Sequence, residues 1–120
     1  MLKKIVKRTI DKFASAFEGV YAGLRYDRSI LIQILLALAS VIFFAVLGIN
    51  QIEWLFVISA IFVVLVTEFL NSAIEDICDL LIQEYHLHVK EIKDIAAAAV
   101  LIAAVYATVV AGVILLGRVL

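Results

Sequence analysis

The stretch EFLNSAIEDICDLLIQEYH, residues 68–86, decides how this chain folds. The chain has 120 residues and is 66% hydrophobic, with a mean hydropathy of +1.16, whereas a soluble domain is closer to half apolar. The apolar run before the stretch, Trp54–Thr67, is too short to cross a bilayer, so it becomes a span only if one helix continues through the polar residues. Those residues include a row of three carboxylates and one amide: Glu68, Asn71, Glu75 and Asp79.

Two other stretches, 29–52 and 95–117, carry no charged residue. Each is long enough to cross the hydrocarbon core of a bilayer, which takes about 20 apolar residues. The sequence therefore predicts an all-α integral membrane protein, with residues 1–120 as one domain. Its three transmembrane helices are expected over 30–48, 53–83 and 92–118, and the second should extend into the cytoplasm.

Residues 1–28 have apolar side chains at helical spacing, with lysine and arginine between them. This pattern predicts an amphipathic helix lying in the membrane interface. Seven basic residues precede the first span, and none lies between the first and second spans. The positive-inside bias then places the N-terminus in the cytoplasm.

The polar row gives the second span its predicted chemistry. Offsets of three, seven and eleven residues from Glu68 fall on one narrow face of a helix. If Trp54 marks the outer interface, Glu68 lies about 21 Å further along the helix, still inside a core about 30 Å thick. A carboxylate at that depth is costly and usually functional, and desolvation makes it a stronger base. The alternative is a structural residue paired with a neighbouring helix, or for Asp79 a carboxylate simply solvated at the helix exit.

The lower part of the row predicts a cation site. Four acidic or amide groups cannot neutralise one another, and oxygen ligands near water favour Mg²⁺, which brings its own waters and substrate phosphates. Lys93 and Asp94 follow at the same inner surface, where Lys93 either meets a phosphate or is merely a positive-inside lysine. A deep base, a metal carboxylate and a boundary lysine fit phosphoryl transfer from a water-soluble donor to a lipid hydroxyl. No GxxxxGK[ST] phosphate loop is present.

Two other function classes stay open on these residues. In a small proton- or cation-coupled transporter, Glu68 would bind the transported ion. A transporter would not need acidic residues continuing to the cytoplasmic edge, nor the Lys-Asp pair beyond them. The third class is a structural membrane subunit.

The segment EFLNSAIEDICDL, followed by KDIAAAAV, resembles the signature of the small bacterial diacylglycerol kinases, which include the undecaprenol kinases. The resemblance covers nearly the whole chain. It implies a homotrimer with active sites shared between subunits in the bacterial inner membrane. It also implies MgATP and a lipid alcohol as substrates, and no nucleic-acid partner.

The resemblance also implies residue roles. Glu68 matches the general base, and Asp27 and Glu75 match metal ligands. The catalytic set is completed by Asn71, Lys93 and Asp94. The set expected to bind nucleotide is Arg8, Ser15, Asp27, Glu75, Asp79, Glu84, Tyr85, His86, Lys93 and Asp94. The set expected to contact lipid is Ser29, Ile30, Leu31, Ile32, Gln33, Trp54 and Glu68.

The sequence departs from the family pattern in places. Asp27 stands where the family has glutamate and is one methylene shorter, and Leu31 stands where a basic residue is usual. Because of these departures, a catalytically inactive relative of the family stays an alternative to an active lipid kinase. The Arg28-Ser29 pair tilts the expected substrate slightly toward undecaprenol, with diacylglycerol as the alternative.

Overall fold

The computed structural model describes all 120 residues and contains four helices and no strand. They are α1 (Leu2–Tyr26), α2 (Arg28–Leu47), α3 (Gln51–Leu81) and α4 (Leu87–Val119). By length and composition, α2, α3 and α4 can each cross a membrane. The predicted all-α fold with three apolar spans is therefore confirmed. The interfacial position of α1 and the homotrimer stay predictions.

A single residue separates α1 from α2. Asp27 has an extended backbone (φ −116°, ψ 110°) that ends α1. Its Oδ1 accepts hydrogen bonds from the backbone N–H groups of Ser29 (2.9 Å) and Ile30 (3.3 Å). This is the N-cap arrangement, in which a short acidic side chain satisfies free amides of the first turn. The corner between the helices is therefore fixed by Asp27 itself.

Short, well-capped connections join the other helices. Gly48 ends α2 in the left-handed region (φ 77°, ψ 54°), which glycine adopts at little cost. Asn50 and Glu53 then form a capping box, with side chain to backbone distances of 2.9 and 3.0 Å. His86 begins α4, because its Nδ1 accepts from the N–H of His88 at 3.2 Å. The helix therefore starts five residues before the predicted span at 92.

α3 and α4 form the main antiparallel pair. Lys93 Nζ lies 2.8 Å from Asp79 Oδ1 at one end of the pair. Arg118 Nη2 lies 2.8 Å from Glu53 Oε1 at the other end. The core near the Glu53 end is apolar and includes α2, and its buried residues are Phe44, Ile49, Val57, Ala60, Val110 and Ile114.

α1 extends away from this bundle as an exposed arm. It has no buried residue, and only its last turns contact the rest of the chain. Most of the large apolar side chains on all four helices are exposed in the single chain. Such apolar surface is typical of helices that face lipid or a neighbouring chain.

Candidate active site

The buried polar residues of the chain all lie on α3, and they are Glu68, Asn71 and Ser72. Glu68 is only 6% exposed, and neither of its carboxylate oxygens accepts a hydrogen bond. Glu75 is half-buried and Asp79 is exposed. The polar row therefore runs from the protein interior to the C-terminal end of α3. Both oxygens of the deep carboxylate are left available to a ligand.

Asn71 links the deep and shallow parts of the row. Its Nδ2 donates to Glu75 Oε1 at 3.1 Å. Its Oδ1 is buried and has no hydrogen-bond partner. An unpaired buried acceptor costs about 1–3 kcal/mol, and such exceptions usually mark a missing ion, water or ligand. Asn71 thus orients Glu75 and offers a free oxygen beside it.

Asp27 approaches the same place from the α1–α2 corner. Asp27 and Glu75 are both near enough to interact electrostatically with Glu68. Asp27 is half-buried, and its Oδ1 caps α2 while Oδ2 makes no hydrogen bond. Nowhere does the single chain gather three or more His, Cys, Asp or Glu side chains into a metal site. One chain therefore supplies at most two carboxylates, which fits Mg²⁺ because that ion keeps waters and binds substrate phosphates.

A second polar group lies where the C-terminal end of α3 meets the start of α4. Lys93 pairs with Asp79, and Lys90 Nζ pairs with Asp94 Oδ2 at 2.7 Å. A groove of about 350 Å³ opens between these helices and the connection that joins them. Six predicted nucleotide-binding residues line it: Asp79, Glu84, Tyr85, His86, Lys93 and Asp94.

The structure does not bring every predicted residue to these two places. Arg8 and Ser15 lie on the exposed arm α1, beside Lys4, Lys7, Asp11 and Lys12. With a rise of 1.5 Å per residue, Arg8 is about 28 Å from the end of α1. Its predicted contact with nucleotide therefore does not occur within one extended chain.

The predicted lipid-binding residues are also divided. Leu31 and Ile32 are exposed, but Ile30 is only 1% exposed, so in the single chain it belongs to the interior rather than to a lipid-facing surface. Trp54 packs against the apolar core near the far end of α3, about 21 Å from Glu68 along the helix. It therefore does not join Glu68 in one site.

Two residues at the site escaped the sequence analysis. Ser72 is buried one turn after Glu68, and Gly23 lies on α1 opposite α3. Together with Asp27 they line a groove of about 510 Å³ between α1 and α3. The four-residue spacing from Glu68 could have identified Ser72. No pattern in the sequence marks Gly23, because its role depends on which helix packs against it.

Comparison with known proteins agrees with this architecture. A family model described as prokaryotic diacylglycerol kinase matches residues 14–115. The chain is 48% identical over 54 residues to a diacylglycerol kinase of Synechocystis sp., an alignment that covers 44% of this chain and 31% of that protein. It is 40% identical over 63 residues to a diacylglycerol kinase of Escherichia coli, covering 52% of each. It is 29% identical over 113 residues to an undecaprenol kinase of Bacillus subtilis, covering 94% of this chain and 92% of that protein. The chain thus matches about a third to a half of those two diacylglycerol kinases.

Proposed function

Because the chain belongs to the prokaryotic diacylglycerol kinase family, we propose that it is an ATP-dependent lipid kinase. It transfers the γ-phosphate of ATP directly to the hydroxyl of a membrane lipid alcohol. The observation that carries this proposal is Glu68, a carboxylate buried in a membrane helix with both oxygens free. We place the enzyme in the bacterial inner membrane with its N-terminus in the cytoplasm.

Glu68 is the proposed general base. The α1–α3 groove reaches Phe69 and Ser72, which lie next to Glu68 on α3. When the hydroxyl of a lipid alcohol lies beside Glu68, the carboxylate accepts its proton as the oxygen attacks phosphorus. Few waters compete for a carboxylate that is 6% exposed. Catalysis of this kind depends mainly on positioning and on neutralising phosphate charge.

Asp27 and Glu75 are the proposed Mg²⁺ ligands. Each keeps one carboxylate oxygen free of hydrogen bonds, and the unpartnered Oδ1 of Asn71 is a third oxygen in the same region. A set made only of oxygen atoms suits this hard cation. When bound, Mg²⁺ neutralises and orients the phosphate oxygens of ATP. Asn71 serves this site by holding Glu75 in place.

The groove at the cytoplasmic end is the proposed nucleotide site. Lys93 releases Asp79 and contacts a phosphate of the nucleotide instead. Glu84, Tyr85 and His86 surround the nucleotide. The Lys93–Asp79 pair has side chains 37% and 65% exposed, and exposed pairs contribute only about 0–1 kcal/mol. Exchange therefore costs little. Arg8 and Ser15 act from a neighbouring chain of the proposed homotrimer, since their own chain holds them away.

Side-by-side phosphorylation of two lipids tests this function. The purified protein in lipid nanodiscs receives MgATP with either undecaprenol or diacylglycerol. We expect a phosphorylated lipid that requires both ATP and Mg²⁺, with undecaprenol slightly preferred because of the Arg28-Ser29 pair. Proton-coupled flux without ATP consumption would instead support a transporter. Absence of both product and flux would support an inactive relative.

A further inference from the structure

α1 comes very close to α3 at Gly23. A Cβ atom added to Gly23 would lie 2.5 Å from Cε1 of Phe69 and 3.1 Å from Cδ1 of Ile30. The first of these distances is one that real Cβ atoms essentially never show. The other glycines, including Gly19 one turn earlier, would meet nothing within 4 Å. Only at position 23 would an added side chain meet neighbouring atoms, which are the outer atoms of the Phe69 and Ile30 side chains.

This contact lies next to the proposed chemistry. Asp27 is one helical turn after Gly23 on the same face, and its backbone N–H donates to the Gly23 carbonyl at 3.0 Å. Phe69 directly follows Glu68 in α3. The Gly23–Phe69 contact therefore fixes how near the end of α1 lies to the buried base.

The Asp27 side chain can move little to compensate for a change in the distance between the end of α1 and Glu68. Its side chain is short, and its Oδ1 is already held by two backbone amides of α2. Asp27 lies within electrostatic range of Glu68, so the α1–α2 corner decides where its free Oδ2 lies relative to that base. A displaced α1 would carry Asp27 with it.

We propose that Gly23 is a positioning residue that lets α1 pack on Phe69 and so holds the Asp27 carboxylate beside Glu68 and Glu75. This inference rests on the proposed function, in which Asp27 and Glu75 share a cation. A side chain at position 23 must either push the Phe69 ring aside or lift α1 away from α3. Lifting α1 moves Asp27 away from Glu68, and displacing the ring removes the contact that sets how far α1 lies from α3.

Cation binding without turnover provides the test. Mn²⁺ is titrated into the protein with ADP, and the signal of the free ion is followed by electron paramagnetic resonance. We expect Gly23→Ala to weaken Mn²⁺ binding about 10-fold, as supporting residues of metal sites commonly do. Adding Phe69→Leu removes the colliding ring atoms and should restore most of the affinity. Gly19→Ala is the matched control, and its affinity should equal that of the wild type.

A double-mutant cycle with Asp27→Asn identifies the route of the effect. If Gly23 acts through Asp27, then Gly23→Ala causes no further loss once the carboxylate is removed. Wild-type affinity in Gly23→Ala, an equal loss in Gly19→Ala, or a full additional loss in the Asp27→Asn background would overturn the proposal. A wild-type protein that binds Mn²⁺ with ADP but phosphorylates no lipid would instead refute the kinase function.

Discussion

Only one end of the buried Asn71 amide has a hydrogen-bond partner. Its amide nitrogen holds Glu75, while its oxygen has no partner within the chain. The fold alone would be served as well by an apolar residue, because an unpaired buried oxygen destabilises the folded state. Retaining an asparagine there is understandable if the amide serves a ligand.

Asn71→Leu should therefore separate stability from activity. We expect the free energy of unfolding to stay within about 1 kcal/mol of the wild type, since the substitution removes an unsatisfied buried group. Lipid phosphorylation should fall about 10- to 100-fold, because Glu75 loses the group that orients it. Thermal unfolding and a phosphorylation assay measure the two effects.

Thr67→Val is the matched control for Asn71→Leu. The Thr67 hydroxyl bonds only to the Val64 carbonyl of its own helix, at 2.9 Å. This variant should keep both its stability and its activity. If Asn71→Leu phosphorylated lipid at the wild-type rate, the role given to Asn71 would be wrong.

Lys93 leads to a second prediction for a single residue. Lys93→Met should lower kcat/KM for ATP about 100-fold, because a cation that faces transferring phosphate is lost. The melting temperature should stay close to that of the wild type, since the pair with Asp79 is exposed. His88→Ala, an exposed change near the start of the same helix, serves as the control. An unchanged KM and kcat for ATP in Lys93→Met would remove Lys93 from the site.

At the scale of the helices, sequence and structure agree best where the apolar runs are longest. The third span was predicted from the uncharged stretch 95–117. The second was predicted on the condition that one helix continues through the polar row, and α3 does so. The ends were harder to predict. Asp27 was assigned to a metal site, yet it also caps α2, and His86 was assigned to nucleotide, yet it also caps α4. A cap depends on where neighbouring helices start, which periodicity does not show.

The end of the α3–α4 pair away from the proposed site carries a prediction of its own. Arg118 bonds both carboxylate oxygens of Glu53 and also reaches the Gly48 carbonyl at 3.4 Å. Arg118→Ala should lower the free energy of unfolding and the melting temperature, because Glu53 and the Gly48 carbonyl lose their hydrogen-bond donor. Arg118→Lys keeps the positive charge but lacks the planar guanidinium that donates to both Glu53 oxygens. Its loss of stability should therefore be smaller than that of Arg118→Ala. Both variants should phosphorylate lipid at the wild-type rate at temperatures where they are folded. Slower catalysis in folded Arg118→Ala would contradict the view that this end of the α3–α4 pair does not take part in catalysis.

At the scale of the whole molecule, one chain does not bring all the predicted site residues together. Asp27 and Glu75 lie within electrostatic range of Glu68, no group of three or more His, Cys, Asp or Glu side chains could hold a metal ion, and Arg8 lies far along α1. Sequence patterns located the polar row, because its spacing is local. They could not show that Gly23 sets the distance between α1 and α3, since packing between distant segments leaves no periodic signal.

We propose that the site is completed in a homotrimer whose chains share their active sites. We expect native mass spectrometry to give about three times the 13.2 kDa of one chain. We also expect Arg8→Ala and Lys93→Met, each weakly active alone, to regain activity when their chains are mixed, because some sites then receive both native residues. A fully active monomer, or a mixture no more active than its components, would contradict the shared site.

The central claim is that the buried Glu68 accepts the proton of a lipid hydroxyl during phosphoryl transfer. The most direct measurement follows the transfer of labelled phosphate from [γ-³²P]ATP to lipid by the wild-type protein and by Glu68→Gln, with trimer formation and thermal unfolding checked in both. We predict labelled lipid from the wild type and a rate at least about 100-fold lower from the folded variant, the size expected for loss of a general base. Equal labelling by the two proteins would contradict the account.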